Sequence, residues 1–464
     1  MRSATPQPLV SPQNIIRSGL CIGCGGCVAQ ADLPGLRMQL DRYGQYKPSG
    51  AAAWLRTPSA TIAHTCPFSP VASNEDELAA SRFPTAPYHD PLIGRYQTAY
   101  VGYVAEENFR ACGSSGGMVT WVATELLRQG LVDGVAHVVA TADPHQEGRF
   151  FRYQVSHTET EIRAGAKSRY YPVELSEVIR TIRAHPGRYA VVGIPCFIKA
   201  IHLLRGQDAV LRRRIVFTLG LFCGHMKSAR LVESFAWQMG VRLEEVVRVE
   251  YRLKDPTRPA NWYTAHLTLR DGRSVRQDWW HLADGDWGAG FFQNSACNFC
   301  DDVVAETADI SFGDAWVEPY SSDGRGTNVV IVRSPVLQTL VAAAIQDGRL
   351  KLDPVDHQFV EQTQAAGFRQ RREGLAYRLS WPHLGIQPRK RVRPAARRLT
   401  WRRKLIYHMR SLITAWSHRV FWLARRLHLP ALYIRWAWTA VTVYHALAYS
   451  RGRLGKLVDR LARH

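Results

Sequence analysis

Three cysteines packed into one short glycine-rich run constrain this chain more than any other feature. Cys21, Cys24 and Cys27 lie in CIGCGGC, a C-x2-C-x2-C run, and Cys66 follows 39 positions on in the dipeptide Cys66-Pro67. That is the ferredoxin spacing, three close thiolates and a remote Cys-Pro. Three thiolates on one tight loop reach three corners of a cubane, and Gly23, Gly25 and Gly26 let the backbone curl around it without side-chain clashes. Backbone N–H groups of such a loop also face the cluster and soften its negative charge. A zinc knuckle is the competing reading, but zinc sites usually pair one C-x2-C with a second such unit or with two histidines. The spacing therefore favours a 4Fe-4S cluster on Cys21, Cys24, Cys27 and Cys66.

Five cysteines remain: Cys112, Cys196, Cys223, Cys297 and Cys300. Cys297-Asn-Phe-Cys300 is a two-ligand unit, while Cys196 follows the apolar run AVVGIP and Cys223 follows IVFTLGLF. Two strand ends and a C-x2-C loop can converge at one edge of a sheet. Buried core thiols are the equal alternative for Cys196 and Cys223, since cysteine is often fully buried.

Composition narrows the class. A chain of 464 residues allows two to four domains at roughly 100–200 each. With 46% hydrophobic and 21% charged residues it is neither disordered throughout nor a rod. The net charge of +21 is local: residues 389–464 carry 19 Lys and Arg against Asp459 alone, so the first 388 residues are nearly neutral. No uncharged apolar run reaches 18 residues, and the best, Trp436–Ser450, has 15 and follows Arg435, which excludes a multi-span membrane protein. Residues 1–16 hold no apolar stretch behind Arg2 that would make a secretory signal, so a cytoplasmic, reducing location is expected. Nine cysteines there argue for metal or redox chemistry rather than disulfides.

Along the chain, residues 1–80 read as a small ferredoxin-like module and 82–91 as a loop-like connection. From Tyr96 strand and helix patterns alternate: strands over 98–105, 132–140, 151–157 and 188–195, helices over 173–185 and 197–205. A hairpin over 263–280 turns at Asp271-Gly272, and 327–348 closes the core as strand plus helix. The expected fold is α/β with a mixed α+β sheet. GSSGG (113–117) begins a helix, with Ser114 or Ser115 as its cap, and exposed N–H groups there suit a diphosphate. Read alone, the segment is better taken as an ordinary capped helix with glycines for close packing. No GxGxxG lies between a strand and a helix, so direct nicotinamide-dinucleotide binding is not supported.

Six stretches together resemble the beta subunits of coenzyme F420-reducing hydrogenases and dehydrogenases, relatives of 7-hydroxymethyl chlorophyll a reductase. They are GSSGGMVT (113–120), KSRYYPV (167–173), GIPCFIKAIHLL (193–204), LGLFCGH (219–225), CNFCDDVVAETADISFGDAW (297–316) and GTNVVIV (326–332). The resemblance implies family N-terminal and C-terminal domains over 95–175 and 176–348, followed by a linker over 349–388. It implies FAD and one 4Fe-4S cluster on this core, with Cys196, Cys223, Cys297 and Cys300 as ligands, and a second cluster on the added module. Ser114, Ser115, Gly116, Gly117 and Thr120 become candidates for the FAD pyrophosphate, and Lys167, Ser168 and Arg169 for further flavin contacts. His225 and Asp314 lie near matched motifs, where a cluster-side hydrogen bond and a loop cap are their plainer roles. Cys112 reads as a small packed residue.

The resemblance implies an iron–sulfur flavoprotein oxidoreductase working on a small organic substrate or a deazaflavin, with coenzyme F420, a ferredoxin or another redox protein as partner. The alternative is a non-catalytic electron-transfer subunit of a larger complex. A zinc-stabilised nucleic-acid binder is a third, disfavoured class. The basic segment 389–464 interleaves Lys and Arg with Trp401, Trp416, Trp422, Trp436 and Trp438, and reads as an appended helical tail on an anionic membrane surface, with RNA or DNA phosphate binding and an acidic partner protein as the competing readings. Pro430 is expected to break any long helix there.

Overall fold

A computed structural model describes residues 9–397 and 399–461. The first eight residues of the expected module 1–80, and Arg398 and 462–464 of the expected tail, lie outside the described residues. The centre is an eight-stranded mixed sheet made, in chain order, of β1 (Thr98–Val104), β2 (Gly134–Ala140), β3 (Phe151–Ser156), β4 (Tyr189–Gly193), β5 (Ile215–Leu221), β6 (Ile310–Asp314), β7 (Asn328–Val332) and β8 (Leu350–Val355). Their spatial order is β8-β1-β7-β6-β5-β4-β2-β3. The pairs β6/β5, β5/β4 and β4/β2 are parallel, and the other four are antiparallel. Consequently β1, β2, β4, β5 and β6 all run one way and open their carboxyl ends on one edge.

Burial follows from these sequences. YAVVG of β4 and NVVIV of β7 are buried at every position, as expected of strands covered on both faces. Alternate side chains enter different cores: Ala190 and Val192 meet the helices Met118–Arg128 and Pro335–Gln346, while Val191 faces the helices Ser176–Ala184 and Pro195–Gln207. The expected hairpin forms as Thr264–Leu269 and Ser274–Asp278, joined by Val246–Glu250 in a separate three-stranded sheet.

Three regions depart from the sequence reading. Residues 82–91, read as a loop, contribute Tyr88–Asp90, which pairs with Gly94–Tyr96. Residues 349–388, read as a linker, supply edge strand β8 and the helices His357–Thr363, Ala365–Arg371 and Glu373–Leu379. The alternating charges Lys351 and Asp353 and the proline at 354 hid that strand, and all three suit an edge position.

The basic segment, the third, is no appendage. Its helices Trp401–Arg426, Pro430–Tyr449 and Gly452–Leu461 bring Ile406, Ile413, Phe421, Tyr433 and Val441 into one core with Phe235, Trp279, Phe291 and Phe292. Pro430 stands at a helix start, so the break it was expected to make falls between two helices. Much of the charge is matched by carboxylates of the body. Lys390 pairs with Asp301 (2.8 Å), Arg391 with Glu306 and Asp76, Arg389 with Glu77, and Arg425 with Glu233 (2.7 Å).

Candidate functional site: two cysteine quartets and a serine-glycine loop

The N-terminal quartet is built by local turns. Cys21 and Cys24 precede the short helix Gly26–Gln30, which contains Cys27, and Cys66 closes the helix Ala60–Thr65. Gly25 has φ 81°, and a Cβ there would lie 2.5 Å from Glu174 Oε2 and 2.9 Å from the Ser176 nitrogen, so glycine is required both by conformation and by space. The loop is fastened to the core: Leu175 N–H donates to the Cys24 carbonyl (2.9 Å) and Lys47 Nζ to that of Cys21 (2.7 Å). Burial pushes the Cys24 thiol up to about 12, and Cys27 and Cys66 rise for the same cause, each also raised by the charges of its quartet partners.

The second quartet gathers from three segments at the carboxyl edge of the sheet. Cys196 follows β4 in the first turn of Pro195–Gln207, Cys223 follows β5, and Cys297 and Cys300 flank the turn before β6. A helix start beside Cys196 favours negative charge there. Met226 N–H donates to Cys297 Sγ (3.3 Å). Burial raises all four thiols, Cys297 to about 11, and the charges of its quartet mates add to the rise of each of Cys196, Cys223 and Cys297. All nine cysteines are free thiols, and Cys112 is exposed and outside both quartets.

The sequence reading missed Arg371. It is 2% exposed and donates to the carbonyls of Cys297 (2.9 Å), Cys223 (3.4 Å) and Gly224. Burial alone would depress it, but charge on Cys300, Cys297, Cys223 and Cys196 holds it well above the ordinary guanidinium range. A permanent cation thus sits among four groups that ligate as thiolates. Its helix lay in the stretch read as a linker, and nothing local marked it.

The two quartets adjoin. Cys21, Cys196, Cys297 and Cys300 belong to one hydrophobic cluster, and charge on Cys24 contributes to the raised Cys196 thiol. Among the described residues, Asp90, His357 and Glu361 are the one trio of metal-type ligand atoms lying within 4.8 Å of one another. The donor set of each quartet is four cysteine thiols, which fits the ligands of an iron–sulfur cluster.

The serine-glycine loop follows β1 onto the same edge. The cap of helix Met118–Arg128 is Gly117 (φ 88°), not Ser114 or Ser115 as expected, and its Met118 N–H donates to Asn328 Oδ1 (3.2 Å). Ser115 Oγ donates to the Thr327 carbonyl (3.0 Å), and Ser114 Oγ accepts from Ser168 N–H (2.8 Å). That last bond joins GSSGG to the KSR segment across 54 positions. Gly116 is buried and Thr120 half-buried one turn along. Lys167 pairs with Glu250 (2.7 Å), and Arg169 donates to the Ala166 carbonyl (2.9 Å) with its guanidinium over Phe151. Lys254, another residue the sequence did not single out, donates to the carbonyls of Arg110, Ser115 and Arg325 at 2.5–2.8 Å. Burial and neighbouring cations bring it down to about 7. A cavity of about 860 Å³ adjoins the loop, lined by Tyr103, Arg110, Asp323, Arg325 and Thr327 among others.

Aromatic rings connect loop and core quartet. Tyr170 lies 4.8 Å from Trp287, which stacks on His225 at 4.3 Å, two residues from Cys223. His225 is buried, its pKa well below the ordinary value through burial and the nearby Lys227, Arg410 and Arg371, and its Nε2 has no protein partner. Asp314 does not cap a loop but pairs with Arg252 (3.0 Å) beside Tyr263.

Two family models, describing the N-terminal and the C-terminal parts of the coenzyme F420 hydrogenase/dehydrogenase beta subunit, match this chain over residues 99–180 and 187–358 respectively. The chain belongs to the coenzyme F420 hydrogenase/dehydrogenase beta subunit family, and so to oxidoreductase subunits of redox electron transfer. No curated protein matches it. Among solved structures it is similar to a chain of the F420-reducing [NiFe] hydrogenase complex from Methanosarcina barkeri, at 19% identity and a TM-score of 0.47, over 61% of this chain and 92% of that one.

Proposed function

We propose that this chain is an iron–sulfur flavoprotein oxidoreductase that relays electrons between two 4Fe-4S clusters and FAD, with a small organic substrate or a deazaflavin such as coenzyme F420 reacting at the flavin. The observation that carries the reading is the assembly of eight free cysteines into two adjoining quartets, with the serine-glycine loop on the same sheet edge. Cys21, Cys24, Cys27 and Cys66 hold one cluster, and Cys196, Cys223, Cys297 and Cys300 the other. When bound, such clusters pass single electrons and a flavin exchanges a hydride or two single electrons, so the pair joins two currencies.

The protein's own groups set the conditions for that chemistry. Arg371 offsets thiolate charge at the core quartet, and the helix start at Cys196 acts in the same sense. Ser114, Ser115, Gly116 and Gly117 form the cradle for a pyrophosphate, with Lys254 fixing the loop from beneath. The apolar shell around the quartets keeps water away. Reduced coenzyme F420 and reduced ferredoxin, each added anaerobically to purified chain, provide the test. Bleaching of bound flavin by either is the expected result. A chain that binds no flavin overturns the reading, and flavin that is photoreducible yet unreactive toward both donors and every small acceptor points instead to a non-catalytic subunit.

A further inference from the structure

The helix Trp401–Arg426 is apolar on two sides, and its own chain covers one. Ile406, Ile413, Phe421 and Ala424 face the core, where Ser417 Oγ accepts from Phe292 N–H (3.0 Å) and His418 meets the Gln293 carbonyl (3.0 Å). On the other side Trp401, Leu405, Leu412, Trp416, Leu423 and Leu427 recur at helical spacing and are all exposed, Trp416 by 47% and Leu412 by 54%. A helix bordering water carries polar residues there, and one apolar all round is normally covered all round. Among the described residues, 13 of 19 exposed large apolar side chains fall within 401–461. Leu384, 93% exposed, belongs to the segment that reaches this helix through Trp381, whose ring stacks on His408 at 4.3 Å.

We propose that this outward face seats on an anionic lipid surface. Charge selects the occupant. Arg419, Arg426, Arg435 and Lys456 are exposed, and among the described residues none has a carboxylate within 4.0 Å. The one acid of the whole segment, Asp459, is tied to Arg402 (2.8 Å). A second copy of this chain would set like charges against each other across a two-fold axis. Phosphate-rich nucleic acid would match the cations but leave the Leu and Trp stripe without an apolar partner. Tryptophan, leucine and basic residues on one face suit the boundary between headgroups and acyl chains, and Arg419, 5.3 Å from the Trp416 ring, is placed to reach headgroups beside an inserted indole. No described helix is long and apolar enough to cross a membrane, so the contact is at the surface.

Flotation of the full chain with vesicles of phosphatidylcholine alone, or of phosphatidylcholine with phosphatidylglycerol, tests this. The expected result is at least tenfold stronger binding to the anionic vesicles, with tryptophan fluorescence quenched by brominated acyl chains. Trp416→Ser with Leu412→Ser should cut binding about tenfold at unchanged circular dichroism. Arg419→Glu with Arg426→Glu should do so through charge alone, and Trp280→Ser, exposed in the turn after the hairpin, should leave it intact. Equal binding to both vesicle types, or binding unmoved by either double variant, overturns the proposal. So does a concentration-dependent dimer that the serine variants dissolve, which would assign the face to a second copy.

Discussion

The two cysteine quartets are built by opposite routes, and to different depths: Cys21 alone is buried in the N-terminal one, Cys196, Cys297 and Cys300 in the core one. The N-terminal one comes mostly from a single loop of seven residues, shaped by glycine and tied down by backbone hydrogen bonds. The core quartet joins three segments spread over more than 100 positions and is backed by a buried guanidinium that binds its backbone carbonyls. One site is defined by backbone conformation, the other by tertiary packing and charge. The difference predicts that the two fail under different substitutions.

The largest separation should come from removing ligands. Cys27→Ser is expected to lose about half the iron while leaving bound flavin reducible. Cys223→Ser should lose the other half and uncouple the flavin, and iron analysis with electron paramagnetic resonance distinguishes them. Next, Arg371→Gln should lower the core cluster's midpoint potential by on the order of 100 mV, from roughly 2–3 kcal/mol of charge interaction at an effective dielectric near 20. The N-terminal cluster's potential should stay in place in the same titration. Equal shifts at both would break the comparison.

Smaller effects sharpen it. Gly25→Ala should destabilise the N-terminal site by about 1–3 kcal/mol, seen as faster iron loss to a chelator. Gly35→Ala, at a similar φ of 78° but facing open space, should cost only about 1 kcal/mol. The smallest effect is pH-dependent and belongs to the core. His137 is buried against Ser156, and burial lowers it from 6.5 to about 4. Because the folded state favours the neutral ring, its contribution is full above pH 6.5 and is lost as pH falls toward 4. His137→Asn should lessen the stability lost between pH 7 and 5.5 in denaturant melts by about 1 kcal/mol, leaving the share of the other buried histidines, His202, His225 and His418, in place.

What the sequence made legible follows the same division. The N-terminal ligands, the strands of the core and the hairpin at Asp271-Gly272 are local patterns, and period and spacing report them. Arg371 and Lys254 act across 71–148 positions on backbone carbonyls, and no short window shows such a role. The serines at 114 and 115 misled as caps because a glycine with positive φ ends the loop instead. The segment after Pro388 misled most. Its outward Trp and Leu were legible as a surface stripe, but the inward stripe that locks it to Phe291 and Phe292 is of the same composition, so the helices read as an appendage.

The central claim is that two quartets of thiolates hold two cubanes beside a flavin. Chemical analysis of anaerobically purified full-length chain for iron, acid-labile sulfide, zinc and flavin tests it most directly. About eight irons, about eight sulfides and about one FAD per chain are predicted. Stoichiometric zinc without labile sulfide, in colourless protein, would contradict it.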